Sequence, residues 1–162
     1  MNGSPNASPL PRDLDALIPD LFRRVRTIAV IGTSSNPMRA SNYVMAFLQA
    51  RGYRTIPVNP MEEGTTIHGE RVYGRLACVP APVDMVDIFR NSEAAGDAID
   101  EAITERARLG LSAVWMQLGV INEPAKQRAE AAGLAVVMDK CPKIEYPRLF
   151  GSRTRQEIAA GD

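Results

Sequence analysis

The sequence has no apolar stretch near the roughly 20 residues that a bilayer-spanning helix needs, no long run of like charge, and a single histidine. Lysine plus arginine and aspartate plus glutamate each number 19, so the formal net charge is zero, and only Arg23, Arg24 and Arg26 approach a basic run. The electrostatic footprint of a nucleic-acid or membrane-surface binder is therefore missing. Two cysteines, Cys78 and Cys141, are too few for a disulfide scaffold and too far apart for a zinc knuckle, and both read as reduced thiols. The N-terminal MNGSPNASPLPR lacks the basic start and apolar centre of a secretion signal, so a cytoplasmic protein is expected. At 162 residues the chain suits one well-buried core.

What is present alternates. Residues 1–11 are rich in Pro, Ser, Asn and Gly and are expected to be loose, whereas Leu14, Leu17, Ile18, Leu21 and Phe22 recur at helical spacing over Asp13–Val25. Next come a strand (Ile28–Ile31), a polar turn, a helix (Ala40–Arg51) stopped by Gly52, and a strand (Arg54–Val58). Asn59-Pro60 closes that strand, MEEGTTIHGE reads as a polar loop, and Arg71–Tyr73 reads as a short strand. After an irregular connector at Leu76–Val79, Val83–Phe89 is a clear strand and Asn91 or Ser92 caps a helix running to Leu109. Ser112–Leu118 is β-rich, Asn122 caps a helix through Ala132, and Leu134–Met138 is the last strand. The pattern predicts a single domain over 12–149, with an N-terminal helix and a polar, flexible tail at 150–162. Its fold class is α/β, a Rossmann-like, doubly wound, mainly parallel sheet in three α/β/α layers. In such sheets ligands bind beyond the carboxyl ends of the strands, where the winding reverses.

The first strand, turn and helix have the form of a phosphate-holding unit, because a helix N-terminus offers free N–H groups and partial positive charge. The usual dinucleotide fingerprint G-x-G-x-x-G is absent: the turn reads G-T-S-S-N-P-M-R and keeps only its first glycine. No carboxylate ends the second strand, which weighs against an NAD ribose. Hydroxyl and amide groups of Thr33, Ser34, Ser35 and Asn36 are candidates to bond phosphate oxygens, and Arg39 at the helix start can fork onto a diphosphate.

The segments GTSSNPMRAS, GYRTIPVNP, VYGRL, VDMVDIFRNSE, AVWMQLGVINE and AAGLAVVMDKCPKIE together resemble the small bacterial CoA-binding proteins of the YccU type. They are also similar to the CoA-binding domain of the succinyl-CoA synthetase α subunit. The resemblance covers about Thr27–Leu149 and implies a Rossmann-like domain holding coenzyme A or an acyl-CoA across the sheet edge. On that resemblance Gly32, Thr33, Ser34, Ser35 and Arg39 hold the diphosphate. Asn59 and Pro60 meet the adenosine end, and Phe89, Arg90, Gln117 and Asn122 line the pantetheine path. The synthetase has a lysine soon after its second strand where this chain has Met61-Glu62-Glu63, and two carboxylates there would repel a 3′-phosphate.

No nucleophile–base pair accompanies the turn, so the expected role is binding without catalysis. His68 reads as a loop residue and Cys141 as a packed small residue, with a mixed disulfide to the CoA thiol as the sharper alternative. Cys78 reads as structural. Asp84 and Asp87, three apart on a strand, face opposite sides and are expected to bond loops. Trp115 reads as core or pocket wall. Two other functions stay open: one half of a CoA ligase or transferase whose catalytic residues lie on a partner chain, and, from the fold alone, an NAD(P)-dependent oxidoreductase.

Overall fold

The computed structural model describes residues 9–11 and 13–160. The chain runs α1 (Leu14–Arg24), β1 (Thr27–Ile31), α2 (Ala40–Ala50), β2 (Arg54–Val58), β3 (Thr66–Ile67), β4 (Glu70–Arg71) and β5 (Met85–Ile88). It continues through α3 (Ser92–Leu109), β6 (Ala113–Met116), α4 (Glu123–Ala131), β7 (Ala135–Val137), α5 (Pro142–Phe150) and α6 (Arg155–Ala159). Five strands form one parallel sheet in the order β2-β1-β5-β6-β7. The winding reverses between β1 and β5, the place at which such sheets take their ligands.

Strand periodicity divides the interior in two. Ala29 and Ile31, Val86 and Ile88, and Val114 and Met116 face one cluster, which α3 and α4 cover through Ala95, Ile99, Ala102, Ala125 and Ala129. Ile28 and Val30, Met85, and Ala113 and Trp115 face the other, under α1, α2, α5 and α6. The strands are buried on both faces, as a parallel sheet between helices requires. Caps close the helices where expected: Asn91 Oδ1 accepts from Ala94 N–H at 2.8 Å, and Gly110 ends α3 in the left-handed conformation at φ 79°. No described helix is long and apolar enough to cross a membrane.

Three segments differ from the sequence reading. The expected polar loop holds a small hairpin, β3 paired antiparallel with β4, so the short strand is Glu70–Arg71 rather than Arg71–Tyr73. His68 and Gly69 make its turn with positive φ at both positions, the backbone a two-residue hairpin needs. Downstream, α5 follows the last strand where the sequence reading assigned no element, and Pro147 lies inside it. Packing outweighs that defect: Tyr146 is fully buried, with ring centroids of Phe22, Phe150 and Phe47 at 5.0, 5.3 and 5.9 Å. The expected tail at 150–162 likewise contains α6, closed by a capping box of Thr154 and Glu157 and anchored by the fully buried Ile158. The expectation of a loose N-terminus falls largely outside the described residues, although Leu10 packs against the second cluster.

Candidate functional site

The β1–α2 turn is built by bonds within and around it. Gly32 has φ 88°, its N–H donates to Val58 O at 2.8 Å, and a Cβ placed on it would lie 2.1 Å from Phe89 O. Only glycine lets the tips of β1, β2 and the residue after β5 come so close. Thr33, expected to face a phosphate, is fully buried instead and its hydroxyl donates to Val30 O at 2.6 Å. Ser34 N–H donates to Ser41 Oγ, Ser34 O accepts from Asn42 Nδ2, and Ser34 Oγ accepts from Asn36 N–H. These bonds leave the exposed crest, Ser35 to Arg39, leading into α2. At the start of α2 the N–H groups of Ala40 and Ser41 have no partner among the described residues, as the first amides of a helix do. The Arg39 side chain is exposed beside them, likewise without a described partner.

Ser41 and Asn42 were not singled out from the sequence, yet they carry the turn. Asn42 is also the residue His68 reaches: His68 Nε2 lies 2.9 Å from Asn42 Oδ1 and 3.1 Å from Asn42 O, so it donates to the first turn of α2. His68 is thus a brace from the β3–β4 hairpin, in keeping with its reading as a loop residue.

At the tip of β2 the Asn59 side chain has both ends engaged. Its Nδ2 donates to Thr33 O at 2.9 Å and its Oδ1 accepts from Met61 N–H at 2.9 Å, which brackets the two turns together. Asn59 therefore positions the site, where the resemblance implied contact with the adenosine end. Glu62 follows on a short 3-10 turn, and its Oε2 accepts from Ser35 N–H at 3.0 Å. Neither the bracket nor this carboxylate contact has a local signature, since both join residues 26 and 27 positions apart.

A cavity of about 330 Å³ opens beside the turn, between the ends of β1 and β2 and the first half of α3. Pro60 and Arg90 meet there with Arg75, Asp97 and Glu101. Arg75 Nε lies 3.8 Å from Glu101 Oε2. Arg90 has no described ion-pair or hydrogen-bond partner, which leaves its guanidinium available in the wall. Phe89 is half-buried and packs on the other side of the sheet, against the second cluster.

Farther along the same edge, Gln117 is only 6% exposed and its Oε1 has no partner. A buried amide oxygen left unbonded is an acceptor awaiting a donor. Asn122 is different: its Nδ2 donates to Ser92 O and its Oδ1 accepts from Ala125 N–H. It ties α4 to the start of α3, with both ends of its amide engaged in the framework.

Trp115 is wholly core, its Nε1 donating to Lys140 O at 2.7 Å. Cys141 is buried at the start of α5, whereas Cys78, read as structural, is exposed. Asp84 accepts from the N–H groups of Arg26 and Thr27, as expected of a strand-end carboxylate. Asp87 departs from that expectation. It is fully buried, neither oxygen has a partner, and burial raises its pKa well above the usual carboxylate range.

The family model of the CoA binding domain matches residues 26–147, from just before β1 into α5. The uncharacterized protein YneT of Bacillus subtilis (strain 168) is 34% identical over 131 residues, covering 81% of this chain and 93% of its own. A solved structure from Thermus thermophilus is 34% identical with a TM-score of 0.76, covering 81% of this chain and 95% of that one. The acetyl-coenzyme A synthetase 1 of Ca. Korarchaeum cryptofilum shares the fold, at 22% identity and a TM-score of 0.60 over 74% of this chain and 28% of the synthetase. With the match spanning the whole sheet and its reversal point, the chain belongs to the CoA binding domain family.

Proposed function

We propose that the protein binds coenzyme A or an acyl-CoA at the reversal point of the sheet, without catalysis of its own. The observation that carries this reading is the start of α2, at the tip of β1 where the winding reverses: the amides of Ala40 and Ser41 have no partner among the described residues, and neither does the exposed Arg39 side chain beside them. The diphosphate lies on that helix N-terminus. The adenosine runs toward Pro60 and the end of β2, and the pantetheine arm passes Arg90 toward Gln117. There Gln117 Oε1 accepts from one of the arm's amide N–H groups, which satisfies the orphaned atom.

A binding role is supported by where the reactive side chains are. The one histidine is engaged by Asn42, Cys141 is buried, and among the described residues no three His, Cys, Asp or Glu side chains gather as a metal site. A second reading keeps the same CoA site and assigns the chemistry to a partner chain; the fold shared with part of a larger synthetase favours it. Recovery of the protein from its native cell with a stoichiometric ligase-like partner would support that version, and recovery alone would count against it.

Isothermal titration with CoA tests the assignment, and Arg39→Ala tests its geometry. Loss of a charged hydrogen bond is expected to weaken CoA binding by about 1–3 kcal/mol. Because Arg39 is exposed and has no described partner, the melting temperature should not move. Unchanged affinity would remove Arg39 from the diphosphate grip.

A further inference from the structure

Glu62 supplies a carboxylate that its place in the sequence conceals. β2 ends at Val58, and the next two residues, Asn59 and Pro60, are neutral. The chain then turns tightly. Glu62 N–H donates to Asn59 O at 3.2 Å, and Glu62 O accepts from the Thr65 hydroxyl at 2.7 Å. With the backbone held this way, the half-buried side chain folds back and its Oε2 takes the Ser35 N–H. In dinucleotide-binding sheets a carboxylate at the end of the second strand accepts from the ribose 2′-hydroxyl, on the carbon next to the 3′ position. Here the strand end lacks one, and Glu62 delivers it through space to the β2 side of the phosphate turn.

We infer, resting on the CoA reading above, that Glu62 makes this site favour ligands with a free ribose 3′-hydroxyl over those with a 3′-phosphate, and so dephospho-CoA over CoA. A hydroxyl can donate to Glu62 Oε1, which has no described partner. A 3′-phosphate has no proton to donate at neutral pH and brings like charge against the carboxylate. Among the surrounding cations Arg90 stands along the proposed pantetheine path, and three others are committed elsewhere. Arg75 faces Glu101 at 3.8 Å, Arg54 faces Glu70 at 4.0 Å, and Arg39 stands at the α2 end of the turn with the diphosphate. Glu63 adds a second carboxylate, lying over Gly74 so closely that a Cβ there would be 2.7 Å from Glu63 Oε1.

CoA and dephospho-CoA differ only in the 3′-phosphate, so calorimetric titration of the full chain with each is the test. Glu62→Gln keeps an oxygen for the Ser35 N–H and removes the charge. Dephospho-CoA is expected to bind the wild type about tenfold more tightly than CoA. The Gln variant should shift the ratio of the two dissociation constants toward CoA by about fivefold or more, chiefly by tightening CoA. A wild type that prefers CoA, or a ratio unchanged by Glu62→Gln, overturns the inference while leaving CoA binding intact. Failure of both ligands to bind the wild type removes the CoA reading itself, and this inference with it.

Discussion

Gly32→Ala is expected to destabilise the fold by roughly 3 kcal/mol or more and to abolish CoA binding. Two independent effects act at this position. The backbone has φ 88°, a conformation that L side chains rarely adopt, and the added methyl would sit 2.1 Å from Phe89 O. The obstacle is backbone, at the point where the residues after β1 and β5 pass each other, so no rotamer change relieves it. Relief requires the tips of β1 and β5 to separate, which breaks the bond from Gly32 N–H to Val58 O and the bracket from Asn59 to Thr33 O. The turn that presents Ser35 to Ser41 then loses its support. Chemical denaturation with a parallel CoA titration checks both halves. Near-wild-type stability in the alanine variant would mean that the strand tips are less closely held than described.

Asp87→Asn is expected to raise stability at pH 7, and to do so in a pH-dependent way. The Asp87 carboxyl lies fully buried on β5 beside Val30 and Trp115 of the neighbouring strands, and burial alone raises its pKa well above 3.8. In the unfolded chain the same group ionises near that ordinary value. Between the two values the unfolded state holds fewer protons than the folded one, so stability falls as pH rises through this window. Each unit crossed removes about 1.4 kcal/mol. Asparagine has nearly the same shape and leaves a similar unbonded amide, but it carries no proton to lose. The gap between variant and wild type should therefore narrow as pH falls toward 4, where unfolded Asp87 begins to take up its proton. Denaturation midpoints from pH 4 to 8 provide the check. A gap that stays constant with pH would show that Asp87 has found a partner or solvent in the folded state.

Much of the fold was legible because its signals are local. Alternating apolar strands, the Asn91 and Asn122 caps, and Gly52 and Gly110 at helix ends identify themselves by neighbours in sequence. What could not be read depends on distant partners. The helix at Pro142–Phe150 contains a proline that local rules penalise, and it exists because Tyr146 and Phe150 complete an aromatic cluster with Phe22 from the other end of the chain. The last helix did leave a local mark, Thr154 and Glu157 at capping-box spacing, within a stretch whose polarity suggested a tail.

The candidate site divides the same way. The position of the β1–α2 turn followed from a strand, a glycine and a helix start, and the structure sets Pro60 and Arg90 around one cavity beside it. Which atoms face a ligand did not follow. Thr33 turns inward to Val30 O, Asn59 bridges two turns, and Asn122 joins two helices, so three polar side chains of the expected site serve its framework. The carboxylate missing from the end of β2 arrives from Glu62, through a contact across 27 positions of sequence. Polar residues in a turn announce where bonds are made, but only the packed backbone decides whether those bonds go to the ligand or to the turn.

The most direct test of the central claim is a calorimetric comparison of CoA, dephospho-CoA and NAD on the full-length wild-type chain. All three carry a 5′-diphosphate, which the proposal seats at the start of α2, but only the first two carry the pantetheine arm proposed to meet Gln117. Binding of at least one CoA form about tenfold or more tighter than NAD is the predicted result. NAD binding equal to or tighter than both would contradict it.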